Sequence, residues 1–274
     1  MENMSPAQKS CAQKEIYKLI DNHAIVDPGA SIAPDVEIGP FTIIDKDVEI
    51  GKGSWVGPHV TINGPVKIGQ DCKIFQYSSI GEAPQDKTYA NEPTRLEIGD
   101  RNIIREFCAI HRGTVGGGGV THIGNDNFIM AYVHIAHDSF VGNNTMFVNG
   151  ASLAGHAIVE DFTILSGFTL VHQFVSIGAH CYCTMGSGIA RDVPPYMMVS
   201  GNFAKPRGIN TEGLKRRGFE PDVIRDLRKA YKILYKSKLT LEQAIDELNE
   251  LSAECKEVGH LAEFIKNSRR GIVR

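Results

Sequence analysis

The segment YVHIAHDSFVGNN, residues 132–144, places His134 and His137 three positions apart and sets Asp138 directly after the second imidazole. Imidazole titrates near neutral pH, so this pattern suits a general base with a carboxylate helper. It equally suits a pair of metal ligands. The blandest alternative is two polar side chains in solvated turns. Local spacing leaves all three open, and the elements that carry these residues decide what they can reach.

Those elements are written in a period of six. Val26, Ile32, Ile38, Ile44, Ile50, Val56, Ile62, Ile68, Ile74 and Ile80 form a first ladder, and Ile98, Ile104 and Ile110 a second. A third runs from Ile123 through Ile129, Ile135, Val141, Phe147, Leu153, Val159, Leu165, Val171, Ile177 and Cys183 to Ile189. With 42% of residues hydrophobic, an unbroken success at every rung arises by chance on the order of 10⁻⁹ before choice of phase. Six is neither a helical period nor a strand alternation. It implies short strands joined by tight turns, three to a coil of about 18 residues, with the aliphatic side chain pointing into a triangular prism. The expected fold is a parallel β-helix.

Two interruptions, GEAPQDKTYANEPTRLE (81–97) and HRGTVGGGGVTH (111–122), are too polar and glycine-rich to supply rungs and are expected to loop out of the prism. Beyond residue 202 the period becomes helical. Pro221 suits a first helical turn ahead of Val223, Ile224, Leu227, Tyr231 and Leu234. Thr240 and Gln243 make a capping box before Ala244, Ile245 and Leu248, and Gly259 separates a third helix around Leu261 to Ile265. The expected organisation is an extension over 1–20, a β-helix over 21–201 and a helical domain over 202–274.

A net charge of −3 gives no global case for nucleic acid or an anionic membrane surface. Cys11, Cys72, Cys108, Cys181, Cys183 and Cys255 lack the paired spacing of a zinc knuckle and read as reduced thiols. No stretch approaches a membrane span and the N-terminus does not read as a signal peptide, so the cytoplasm is the expected location.

Residues 18 apart are expected to share one wall of adjacent coils, so His137, Gly155 and Gln173 fall in one column, bordered by His156 and His172. A histidine base, its Asp138 helper and a glycine N–H that can approach an oxyanion form a set used in acyl transfer. The metal alternative lacks a thiolate or an obvious three-histidine corner. Asp138 is the weakest member, because neighbours on a strand point to opposite faces unless a turn brings one round.

At this point HIAHD (134–138), LAGH (153–156), VHQF (171–174), IHRGT (110–114), DVPPY (192–196) and GINTEGLKRRGF (208–219) together resemble the UDP-N-acetylglucosamine acyltransferase family, over about residues 20–274. The resemblance implies a homotrimer of left-handed β-helices with active sites in clefts between subunits. It implies transfer of an (R)-3-hydroxyacyl chain from acyl carrier protein to the 3-hydroxyl of UDP-N-acetylglucosamine, the first step of lipid A synthesis, with no metal or other cofactor. By the same resemblance His137 is the general base, Gly155 N–H the oxyanion donor, and His134, His156 and Gln173 substrate contacts. Asn210, Glu212, Arg216 and Arg217 match positions linked to the nucleotide, where guanidinium groups suit phosphate.

Two departures stand out. Family members commonly read QDLKY where this chain has QDKTY at 85–89, so Asp86 is kept as a substrate contact but Thr88 takes the lysine position, with Lys87 beside it. Met185 stands where long-chain members have glycine, at an acyl ruler. It lies 48 residues beyond His137, or ~13 Å along the axis at ~4.8 Å per coil, which predicts an acyl chain of roughly ten to twelve carbons. The competing reading of Met185 is core filling. Other β-helix functions to be weighed are an N-acyltransferase of the same superfamily, a γ-type carbonic anhydrase and a non-catalytic scaffold.

Overall fold

The computed structural model describes residues 19–274; Cys11 and residues 1–18 of the expected extension lie outside them. The fold is a left-handed parallel β-helix with short helices after it. The described chain divides into two compact units between Asp138 and Ser139. In the first, three parallel sheets are built from strands mostly two residues long. One runs Ile25–Val26, Ile43–Ile44, Thr61–Ile62, Ser79–Glu82, Ala109–His111 and His134–Ile135 in spatial order. Ile44 pairs with Ile62 and Ile62 with Ile80, so an uninterrupted coil consumes 18 residues. The second unit repeats this pattern, for example Ser152–Leu153 beside Leu170–Val171 beside Gly188–Ile189.

Every rung from Ile38 to Ile189 is at most 3% exposed; only Val26 and Ile32, in the first coil, are half-buried. Each buried aliphatic rung contributes about 1.5–3 kcal/mol against exposure. A second inward position, two residues before each rung, was hidden from hydropathy because it takes small and often polar side chains. Thr42, Ser54, Cys72, Ser78, Asn102, Cys108, Thr163 and Cys181 are all buried there. Their polar atoms reach corner carbonyls of the next coil, as in Thr42 Oγ1 to the Gly57 carbonyl at 2.6 Å and Ser78 Oγ to that of Arg105 at 3.0 Å. The thiols act as weak donors in the same place, Cys72 to Gly99 at 3.1 Å and Cys108 to Met130 at 3.2 Å. Burial pushes the Cys108 thiol up to about 12, which removes the thiolate that reactivity needs.

Corners turn through the left-handed region three residues before a rung. Phe41, His59, Tyr77, Phe107 and Tyr132 have φ between 56° and 63°, a conformation that costs a residue with a Cβ roughly 1–2 kcal/mol. In the first unit the rings of these five stack at 5.0–5.1 Å, close to the ~4.8 Å coil spacing, and stacking offsets the backbone cost.

Both excursions are narrower than expected. Arg95–Ile98 is a strand that pairs with Val66–Ile68 and Val120–Ile123, and Leu96 is fully buried. Leu96 occupies the second inward position two residues before the rung Ile98, so the strand begins inside the stretch read as a loop. Val120–Ile123 likewise belongs to a sheet, so the second excursion spans little more than the 3₁₀ turn Val115–Gly117.

In the second unit Met197–Ser200 pairs antiparallel with Lys205–Ile209, a strand that the switch to helical periodicity at 202 did not anticipate. Helices α1 (Thr211–Arg216), α2 (Pro221–Lys236), α3 (Leu241–Ser252) and α4 (Lys256–Asn267) follow. Pro221 opens α2 and the Thr240–Gln243 capping box is formed. Gly259 does not interrupt a helix but lies inside α4, where a Cβ would meet that of Ser252 at 3.5 Å. That is ordinary contact distance, so nothing in the structure requires glycine at this position. Among the described residues no helix is long and apolar enough to cross a membrane.

Candidate active site

His137 follows the strand His134–Ile135, and Asp138 occupies the next left-handed corner with φ 58°. That corner brings Asp138 round to the face of its neighbour, so His137 Nδ1 lies 2.7 Å from Asp138 Oδ2. The Asp138 side chain has no exposed surface and that of His137 is 14% exposed. The solvated turn aspartate considered from sequence is therefore not what forms. A buried carboxylate must be satisfied by donors, and the second excursion supplies them.

Thr114 donates twice to that carboxylate, from its N–H to Oδ1 and from its hydroxyl to Oδ2, both at 2.7 Å. Thr121 Oγ1 accepts the Asp138 N–H at 2.8 Å. The 3₁₀ turn Val115–Gly117 begins at Thr114, whose hydroxyl also accepts the Gly117 N–H at 3.2 Å. A Cβ on Gly117 would lie 1.9 Å from Asp138 Cγ, so only glycine lets this backbone close over the carboxylate. None of Thr114, Gly117 and Thr121 was singled out from sequence, because each lies 17 or more residues from Asp138. The quoted IHRGT motif was the available signal.

His134 is half-buried, and burial lowers its pKa below the ordinary histidine value. Edge-on to it at 5.1 Å stands His111, a further residue not singled out from sequence. His111 is 4% exposed, and burial, with His134 adding to it, lowers its pKa to about 4. Both rings are thus held neutral near pH 7. Asp86 sits in the first excursion, where Oδ1 accepts the Thr88 N–H and hydroxyl at 2.8 Å each. Thr88, at the family lysine position, closes the Asp86 turn, while Lys87 is exposed. Arg112 ties this excursion down, donating to the Gly81 carbonyl at 2.8 Å and lying over the Tyr89 ring.

In the second unit Gly155 is buried in a corner and its carbonyl accepts the Phe174 N–H at 3.1 Å. Among the described residues its own N–H donates to no acceptor. His156 takes the left-handed corner at φ 61° and stacks on Phe174 at 4.4 Å. Gln173 is exposed, and His172 turns its Nδ1 to the Gln173 carbonyl at 3.1 Å. Met185 is 77% exposed at a turn, which removes the core-filling alternative.

The tail residues divide. Asn210 caps α1, accepting the Gly213 N–H and donating to the His180 carbonyl at 3.0 Å. Glu212 pairs with Lys215 at 3.2 Å on the exposed face, and Arg216 is exposed. Arg217 is half-buried, with Nη2 on the Phe162 carbonyl at 2.7 Å and its guanidinium over the Phe162 ring. Its Nη1 is buried without a partner among the described residues, and burial lowers its pKa.

The described geometry has counterparts in known proteins. A family model described as UDP N-acetylglucosamine O-acyltransferase, domain 2, matches residues 192–273. An acyl-(acyl-carrier-protein)-UDP-N-acetylglucosamine O-acyltransferase from Thiobacillus denitrificans is 54% identical over 251 residues, covering 92% of this chain and 97% of that protein. The solved UDP-N-acetylglucosamine acyltransferase of Francisella novicida is 44% identical with a TM-score of 0.92, over 93% of this chain and 94% of that one. That of Arabidopsis is 35% identical with a TM-score of 0.82, over 93% and 100%.

Proposed function

The chain belongs to the family of acyl-(acyl-carrier-protein)-UDP-N-acetylglucosamine O-acyltransferases, and from that premise we propose how its own residues carry the transfer. The protein is an enzyme that moves an acyl group from acyl carrier protein to UDP-N-acetylglucosamine, in lipid A synthesis. The finer reading is that the chain is (R)-3-hydroxyacyl, the acceptor is the sugar 3-hydroxyl, and transfer is direct, without a cofactor or an acyl-enzyme. The observation that carries it is the His137–Asp138 pair. A carboxylate already receiving two Thr114 donors accepts a third from His137, so Nδ1 carries the proton and Nε2 keeps its lone pair. Nε2 takes the proton of the hydroxyl as its oxygen attacks the thioester carbonyl. The Gly155 N–H stabilises the tetrahedral oxyanion, and as collapse breaks the C–S bond the imidazolium returns its proton to the departing sulfur, releasing the carrier thiol.

In the same reading Asp86, His134, His156 and Gln173 hold the acceptor and the acyl chain. Asn210, Glu212, Arg216 and Arg217 serve the nucleotide, with Arg216 exposed for phosphate and Asn210 setting the α1 cap beside it. Homotrimeric assembly and a cytoplasmic location belong to this reading too. The exposed Met185 side chain is available to stop the acyl chain, at roughly ten to twelve carbons.

Mass spectrometry of the product from UDP-N-acetylglucosamine and mixed 3-hydroxyacyl carrier-protein thioesters tests it. The expected product is one ester at the sugar 3-hydroxyl with the medium-length chain, and Met185→Gly lengthens the preferred chain. Preference of the unaltered enzyme for 3-hydroxymyristoyl overturns the ruler, and absence of an ester product overturns the reaction.

A further inference from the structure

The second excursion reaches the dyad through one side chain. We propose that Thr114 is a positioning residue that fixes the tautomer and aim of His137 through Asp138, an inference that rests on the reading of His137 as base. The Gly117 N–H can only donate, and it is shared between the Thr114 carbonyl at 3.1 Å and Thr114 Oγ1 at 3.2 Å. An ionised carboxylate can only accept, so the single hydroxyl proton of Thr114 goes to Asp138 Oδ2 at 2.7 Å. The Thr114 N–H occupies Oδ1 at 2.7 Å. With both carboxylate oxygens pinned by one residue, the plane of Asp138 is set, and Oδ2 presents its remaining capacity to His137 Nδ1. Thr121, accepting the Asp138 N–H, fixes the backbone end of the same residue.

Removing only the hydroxyl keeps the backbone donor but takes one donor from Oδ2, so the carboxylate is free to rotate and the Nδ1 contact of His137 loses its aim. Burial makes the loss felt, because the Asp138 side chain has no exposed surface and solvent does not replace the missing donor. Glycine at 117 belongs to the device, since any Cβ there would displace the carboxylate.

The test compares Thr114→Val, which keeps shape, with Thr114→Ser, which keeps the hydroxyl, in the full-length enzyme under steady-state kinetics. Thr114→Val is expected to lower kcat by roughly 10- to 100-fold, less than the ~10²–10⁴ a general base supplies. KM for the nucleotide sugar is expected to stay within about two-fold, and Thr114→Ser to recover most of kcat. The ring ¹⁵N shifts of His137 serve as a second readout, since they separate the Nδ1–H from the Nε2–H form whether or not a variant is destabilised. A loss of the Nδ1–H signature in Thr114→Val supports the proposal. An unchanged kcat in Thr114→Val, or failure of Thr114→Ser to recover it, overturns it. His137→Ala separates the two readings. If that variant is inactive while Thr114→Val is fully active, only the Thr114 role falls; if His137→Ala stays active, the base reading falls first.

Discussion

Tyr132 and Asp138 sit at corners six residues apart with nearly the same backbone, φ 63° and 58°. At Tyr132 the side chain is 62% exposed and its ring lies flat on Phe107 at 5.0 Å. At Asp138 the side chain is sealed and every oxygen is spoken for by Thr114 or His137. The coil thus offers one strained corner repeatedly and uses it for two purposes, as a stacking step in the first case and as a way to aim a carboxylate in the second. The corner's geometry is set by the period, while its purpose is set by whichever loop lies above it.

Exchanging the side chains at these corners separates the purposes. Asp138→Asn keeps a residue at ease in the left-handed region but offers an amide where an acceptor is needed, so the imidazole is free to take the wrong tautomer. The expected fall in kcat is roughly 10²-fold or more, measured with saturating donor and acceptor. Activity within a few-fold of the parent would mean that the dyad is not used.

The next effect is on stability against pH. His111 in the first unit and His180 in the second both have pKa values lowered to about 4, chiefly by burial. Below the ordinary histidine value the unfolded chain binds protons that the folded chain refuses, so stability falls as pH drops from about 6.5 to about 4. The melting temperature should decline across that window, and His111→Gln should flatten the slope; an unchanged slope would contradict the burial account.

The smallest effect belongs to the stacking corner. Tyr132→Ala should cost about 0.5–1.5 kcal/mol from lost stacking. Tyr132→Gly should cost less than a flexible glycine usually does, because it also relieves the left-handed backbone. Both should leave kcat unchanged, and a catalytic defect in either would erase the distinction between the corners.

What the sequence made legible follows the same division. The rungs were readable because an inward Ile38 or Ile135 must be apolar. The second inward position was not, since Thr42 or Cys72 satisfies the core with a small side chain and one hydrogen bond. His137 and its neighbour could be picked out by type, but the 2.7 Å contact between them depended on a corner that alternation alone argues against. Thr114 was illegible because its partner is 24 residues away and the turn that carries it is mostly glycine. In the tail, Asn210 and Arg217 were read for the nucleotide, yet both already hold carbonyls of the second unit, a duty that residue type does not reveal.

The central claim is that His137, held by Asp138, takes the proton from the acceptor hydroxyl. Its most direct test is the single-turnover rate of acyl transfer by His137→Ala, with folding checked by thermal unfolding. The account predicts a loss of roughly 10²–10⁴-fold with the fold retained. A folded His137→Ala enzyme that transfers the acyl group within a few-fold of the parent rate would contradict it.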